Sequence, residues 1–384
     1  MDSYDLSDDE RELAGMVREF ADEVVAPRAY EADRTHTLPM DVVAQMGAMG
    51  LFGLPFPEEY GGQGGDYFAL CLAIEALGRV DQSIAITLEA GVSLGAMPVF
   101  RFGNEEQKQR LLPDLLTGNA LAGFGLTEPE AGSDAGATRT TARLDGGEWV
   151  VNGSKQFITN SGTEITRFVT VTAVTGETAE GRKEISTIIV PNGTPGLTVE
   201  PAYDKVGWHA SDTHPLTFQD ARVPEANLLG ERGRGFANFL HILDEGRIAI
   251  AALATGAGEG CLEAAVDYAQ KRTVFGDALS TRQGIQFMLA RMQQRVHTAR
   301  LAWQHAARLR DAGKPFKTEA AIAKLTASDA AMDNARDATQ IFGGNGFMNE
   351  YPVARHYRDS KILEIGEGTS EVQLLVIARA LGVA

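Results

Sequence analysis

Two cysteines in 384 residues leave little room for disulfide or thiolate chemistry. Cys71 and Cys261 lie far apart, form no CxxC pair, and read as small apolar fillers suited to a reducing compartment. The seven histidines are scattered, with no HExxH and no His-x-His pair, so no metal site is expected. Positive charge is also scarce: 35 Lys and Arg against 52 Asp and Glu give a net charge of −17. Such a surface repels phosphate backbones, and nucleic acid is not an expected partner. No uninterrupted apolar run reaches about 18 residues, so no membrane span is expected. The N-terminal MDSYDLSDDE is acidic and lacks the apolar segment of a secretory signal. Together these features point to a cytoplasmic protein. Phosphate loops are missing too: there is neither GxxxxGK[ST] nor a GxGxxG opening a helix after a strand. Ser133 has no histidine near it in sequence, so nothing supports a serine hydrolase.

What is present is an ordinary globular composition, 44% apolar and 23% charged, in a chain too long for one core. Three zones are expected. In the first, 1–120, Ser7-Asp8-Asp9-Glu10 is a capping box, followed by Leu13, Met16, Val17, Phe20 and Val24 at helical spacing, with Pro27 ending the run. Further helices over 39–49 and 69–77 are separated by the glycine-rich loop PEEYGGQGG. The second zone, 121–228, holds short runs rich in Val, Ile, Thr and Phe (WVVNG, RFVTVTAV, ISTIIV, LTVE, PLTF) punctuated by Gly and Pro turns. With no helices between them, an antiparallel barrel or sandwich is expected. The third, 229–384, is helical again. Ile285, Met288, Leu289, Met292, Val296, Ala299 and Trp303 make one stripe, and helices follow over 318–341 and 371–381. Gly256, Gly258 and Gly260 sit in a helical stretch and read as sites of close helix packing. The fold class is thus α+β multidomain: an N-terminal helical domain, a central β-barrel or sandwich, and a C-terminal four-helix bundle.

Six strings occur in one order: GFGLTEPEAGSD (123–134), KQFITN (155–160), KRTVFG (271–276), QIFGGNGF (340–347), RDSKI (358–362) and EIGEGTSEVQ (364–373). Together they resemble the signature segments of the acyl-CoA dehydrogenase family, over essentially the whole chain. The resemblance implies FAD as cofactor, an acyl-CoA thioester as substrate, and its α,β-dehydrogenation to a trans-2-enoyl-CoA. It places the catalytic base at Glu367. A proton α to a thioester is a poor acid, so a base must be in place, and burying a carboxylate raises its pKa toward that task. Alone, a Gly-Glu-Gly acid is more often a solvated loop residue. Some branches take their base from the position before the arginine of LDEGR (243–247). Here that is Gly246, with Glu245 one place out of register. Many relatives carry an aromatic before the base; here it is Gly366.

By the same resemblance, Phe124, Leu126, Thr127 and Ser133, with Phe157, Ile158 and Thr159, would contact the flavin ring and ribityl chain; flat apolar groups and hydroxyls suit that task. Arg272, Phe275, Gln283, Gln340, Gly343 and Gly344 would contact the adenine and pyrophosphate of an FAD held mainly by another subunit, with Thr369 and Glu371 completing the cofactor set. Asp244 and Arg247, Ser133 and Gly368 would face the CoA substrate, although Asp244 and Arg247 also read as a plain i,i+3 ion pair. Trp208 reads as structural. The implied partners are an electron-transferring flavoprotein and further copies of the chain, as a homo-oligomer that family members usually complete as a tetramer. Small residues near Leu88, Ala90 and Gly91 leave the acyl group open. An oxygen-using oxidase relative and a non-catalytic flavin or acyl-CoA binder are the competing readings; the retained Glu367 argues against the second.

Overall fold

The computed structural model describes residues 6–383. Its first element, α1 (Asp8–Phe20), opens on the expected capping box: the Glu10 backbone N–H donates to Ser7 Oγ at 3.2 Å, and the Ser7 N–H donates to the Glu10 carboxylate at 2.8 Å. Pro27 does not stop the run. A π-helical turn, Ala21–Val25, carries the chain into α2 (Ala26–Thr35), with Pro27 in the first turn, where its missing N–H costs nothing. The helix ends instead at His36, in the left-handed region. Then follow α3 (Met40–Ala48), the glycine loop, α4 (Tyr67–Gly78), α5 (Gln82–Glu89), a π-helical stretch (Ala90–Ala96), α6 (Met97–Phe102) and α7 (Glu105–Leu116).

The middle region contains β1 (Leu121–Gly125), β2 (Thr141–Asp145), β3 (Glu148–Thr159), β4 (Thr166–Glu177), β5 (Lys183–Pro191), β6 (Leu197–Val199), β7 (Thr213–Pro224) and β8 (Leu228–Leu229). They form one sheet in the order β6-β7-β3-β2-β4-β5-β8, with β1 on β4. Most neighbours are antiparallel, but β1 and β2 run parallel to β4, so the sheet is mixed. Trp149, Val151, Val171, Ile188, Leu216 and Phe218 fill its core.

Beyond it, α8 (Gly235–Lys271), α9 (Gln283–Asp311) and α10 (Lys317–Phe342) pack on one another. A short hairpin, β9 (Thr273–Val274) with β10 (Asp277–Ala278), separates the first two. α11 (Pro352–Ser360) and α12 (Ser370–Ala380) lie against α10. The apolar stripe of α9 faces inward from Met292 to Trp303. Two of the three α8 glycines act as expected: a Cβ at 256 or 260 would collide with the backbone oxygen of Glu75 or Arg79, the last turn of α4 and its C-cap, whereas at 258 it would meet only ordinary contacts, the nearest Asn334 at 3.5 Å. Helices of the first and third zones therefore share one core, in which Phe68 of α4 packs against Trp303 of α9 at 5.2 Å between ring centroids. That core also accounts for two stretches whose averaged hydropathy reaches membrane-like values, Gln82–Phe102 (1.5) and Gly235–Lys271 (1.3). In these, 89% and 78% of the most apolar window is buried inside the protein.

Candidate active site

Helix α8 crosses the middle of the molecule with Asp244, Glu245, Gly246 and Arg247 all buried. Asp244 and Arg247 do form the i,i+3 pair, at 2.5 Å, but out of solvent, and Lys317 approaches Asp244 at 3.5 Å. Glu245 points elsewhere. Its carboxylate is 2.7 Å from both Arg101 and Arg310 and 3.5 Å from His241. Burial alone would raise its pKa; the hydrogen bond with His241 and the two guanidinium groups overcome that and hold it at about 2. It is a fixed structural anion and no base.

The space beside Gly246 belongs to Glu367. A Cβ at 246 would strike Oε2 of Glu367, with its Cδ at 3.3 Å. The glycine is a steric permit for the carboxylate, and the two candidate base positions exclude each other physically. Because the struck atom ends a flexible side chain, Gly246→Ala should leave the fold intact and displace the carboxylate. We expect a loss of kcat of about 10²-fold with an unchanged thermal midpoint; unaltered turnover would contradict this geometry.

Glu367 itself sits at φ +52°, a left-handed conformation uncommon for a residue with a side chain. The residue as a whole is half-buried, whereas Oε2 is fully out of water and has no hydrogen-bond donor among the described residues. The following carbonyl, Gly368 O, accepts from Lys324 Nζ and from Gln373 Nε2, both at 2.8 Å, and Arg247 lies beside Gly368. Thr369 caps α12 by accepting from the Val372 N–H at 3.3 Å. Three buried side chains from α8, α10 and α12 thus pin the loop that aims the carboxyl inward. Desolvation raises Glu367 to about 7, opposed by Lys324 and Arg247; burial in turn lowers Lys324 to about 8. Gly366 donates to Ile362 O at 2.7 Å, and a Cβ there would meet only ordinary contacts, so packing does not demand glycine before the base.

The residues expected to hold the flavin lie where β1 and β3 end side by side, joined by the Gln156 N–H to Thr127 O at 2.9 Å. Phe124 is stacked on Phe239 of α8 at 3.8 Å and Leu126 is buried. Thr127 and Thr159 are half-buried and Ser133 is exposed. Ile158 turns its side chain into the sheet core, leaving only main chain for a ligand. Phe157 is 59% exposed at φ +63°. Ser370 Oγ, at the start of α12, is buried with no hydrogen-bond partner among the described residues. An uncovered aromatic face and hydroxyls on the neighbouring strand ends fit a flat ring with a polar chain. Glu371 is exposed on the same turn.

Arg272, Phe275, Gln283, Gln340, Gly343 and Gly344 are also exposed, gathered where α8 and α10 end; Tyr268 and Phe342 stack there at 4.0 Å. Gly246 and Arg272 are the two ends of one helix segment, roughly 40 Å apart at 1.5 Å per residue. One chain does not bring the two groups together. Lys324 and Glu89 carried no sequence signal, because their contacts are long-range; Gln373 and the buried Lys155–Glu128 pair at 2.7 Å, which anchors the 126–133 segment, lie inside the signature strings, but nothing local marked their role. Trp208 is structural as expected, its indole N–H on Gln82 at 3.3 Å and its backbone N–H on Asp359 at 2.6 Å.

A helical, β and helical chain with a pinned, desolvated carboxylate at the crossing of its helices defines a class: the acyl-CoA dehydrogenase family, to which this chain belongs. It is an FAD-dependent oxidoreductase of that family. Models of the acyl-CoA dehydrogenase N-terminal, middle and C-terminal domains match residues 7–119, 123–221 and 233–382. The chain is 49% identical over 379 residues to the probable acyl-CoA dehydrogenase YngJ of Bacillus subtilis, covering 99% of each. Among solved structures, butyryl-CoA dehydrogenase from Megasphaera elsdenii superposes with a TM-score of 0.95 at 42% identity, covering 99% of both chains. A chain from a structure named for the electron transferring flavoprotein of Acidaminococcus fermentans gives 0.95 at 44% over the same coverage.

Proposed function

We propose that the protein oxidises the Cα–Cβ bond of a short-chain acyl-CoA, with Glu367 as the base that removes the α-proton. The observation that carries this reading is the orphaned, desolvated carboxyl of Glu367, raised to about 7 and aimed past Gly246 into the interior. Lys324, Gln373 and Arg247 hold its loop, so little reorganisation is needed when the proton moves. When bound, FAD supplies the acceptor for the β-hydride. Phe157, Thr127, Thr159 and Ser133 would hold its ring and chain. Asp244 and Arg247 would orient the thioester and its CoA arm.

The likeness to a butyryl-CoA dehydrogenase supports a short acyl group, and the buried Leu88 and Glu89 fit a shallow floor. The likeness to a chain from an electron transferring flavoprotein structure supports such a flavoprotein as electron acceptor. Phe275 and Phe347, 98% and 86% exposed near Arg272 and Gly343, are large apolar groups in want of cover. They support an oligomer in which one subunit's α8–α10 ends complete the cofactor site of another.

Turnover against a panel of acyl-CoAs tests the substrate: a maximum at short chains is expected, and a maximum at long chains would overturn that part. Anaerobic bleaching by substrate with slow recovery in air is expected; rapid peroxide release would instead indicate an oxidase. The base works ionised, so kcat/KM should rise as pH increases through about 7. A pH profile flat between 5.5 and 8.5, roughly a decade and a half either side of that value, would remove Glu367 from the role.

A further inference from the structure

Glu89 ends α5 where the helix widens into the π-helical stretch, and its side chain is fully buried. Among the described residues neither of its carboxyl oxygens has a hydrogen-bond donor, and the same holds for Oε2 of Glu367. Two of these oxygens meet at Gly246, whose Cβ position lies against Glu367 Oε2 and 3.6 Å from Glu89 Oε1. Buried carboxyl oxygens left without donors are rare, and two carboxylates side by side in the interior repel each other unless one keeps a proton. One proton between the two groups removes the repulsion and gives Glu367 Oε2 its donor.

The surroundings decide which group keeps it. Glu367 is faced by two cations, Arg247 from α8 and Lys324 from α10. Among the described residues no cation acts on Glu89: its neighbours are Glu367, Tyr67 and Cys71 of α4, and Ser93. Ser93 opposes the rise of Glu89 and is the weakest of the influences on it, because its one proton is directed to Tyr67. Tyr67 Oη gives its proton to the Glu245 carbonyl at 3.1 Å, so the 2.9 Å contact between Tyr67 and Ser93 uses the serine proton.

We propose that Glu89 is a positioning residue that stays a neutral carboxylic acid and donates its proton in a hydrogen bond to the Glu367 carboxylate. That bond holds the base ionised and aimed while Glu89 keeps its proton throughout the reaction. Burial, and then the charge of Glu367, raise Glu89 well above the carboxylate range, while the bond from Glu89 lowers Glu367. The inference rests on Glu367 being the base.

Two measurements on the FAD-loaded protein test it. In substrate-free infrared difference spectra, well above the ordinary carboxylate range, Glu89→Gln should lose one protonated carboxyl stretch that Glu367→Gln retains. In the pH profile of kcat/KM, Glu89→Leu removes the donor and should move the acidic limb up by about one unit, roughly tenfold in the proton affinity of the base. Glu89→Gln keeps a donor and should leave that limb in place. A limb that moves down in Glu89→Gln would mean Glu89 is normally ionised, which overturns the proposal, as would equal behaviour of the Gln and Leu variants. If the Leu variant fails to fold, the infrared difference and the Gln limb decide. The infrared result does not depend on turnover, so it separates an error about Glu89 from an error about Glu367.

Discussion

Glu367→Gln is expected to lower kcat by roughly 10³–10⁴-fold, the contribution of a well-placed general base, while acyl-CoA still binds. Glutamine keeps the shape and the left-handed backbone but accepts no proton from the substrate α-carbon. Anaerobic mixing with acyl-CoA should therefore leave the flavin colour unbleached, and substrate-driven bleaching at the wild-type rate would show that another group is the base. The stability sign separates loss of chemistry from loss of fold. The folded pKa of about 7 lies above the ordinary 4.5, so Glu367 costs stability increasingly as pH rises between those values. Removing its charge should leave the thermal midpoint above neutral pH no lower than wild type.

Glu245→Leu acts on the frame instead, and an expected loss of about 3 kcal/mol makes it the most damaging single change predicted for stability. Arg101 from α6 and Arg310 from α9 both end on this one buried carboxylate of α8. Without it Arg101 loses its carboxylate and Arg310 keeps only Asp311, at 2.9 Å, so two guanidinium groups converge on a junction with one anion fewer. Arg101 is partly exposed and can recover some hydration, which places the cost at the lower end of the range for breaking a buried pair. The pH dependence has a definite direction. Because the folded pKa is depressed to about 2, the stabilisation is full above 4.5 and is lost as pH falls toward 2. Wild type should thus lose more stability across that interval than Glu245→Leu does. Denaturant midpoints at neutral and acid pH measure both; a loss below about 1 kcal/mol would show that the arginines find other partners.

Much of the fold could be read from local pattern. The Ser7–Glu10 box, the β runs between 149 and 218 and the inward stripe of α9 are short-range signals, and each lies where expected. Pro27 misled because a π turn one step earlier had already opened the hydrogen-bond ladder. The parallel pairing of β1 with β4 joins strands some forty positions apart, and no alternation of residues encodes it. The site divides in the same way. Glu367 and its loop stand out as a string, and Gly246 stands out as a gap. Glu89 and Lys324 are ordinary residues in ordinary helices until tertiary packing turns them toward one loop.

The left-handed backbone at Glu367 sets folding and chemistry against each other at a single position. A side chain in that conformation costs on the order of 1 kcal/mol that glycine would not incur, and the inward carboxylate adds its desolvation. Drift without selection for turnover would favour glycine there, extending Gly366 and Gly368 into an unbroken run of three. An acid retained between those two glycines is therefore a mark of use, and its replacement in any descendant chain would be an early sign that the chemistry had been abandoned while the fold survived.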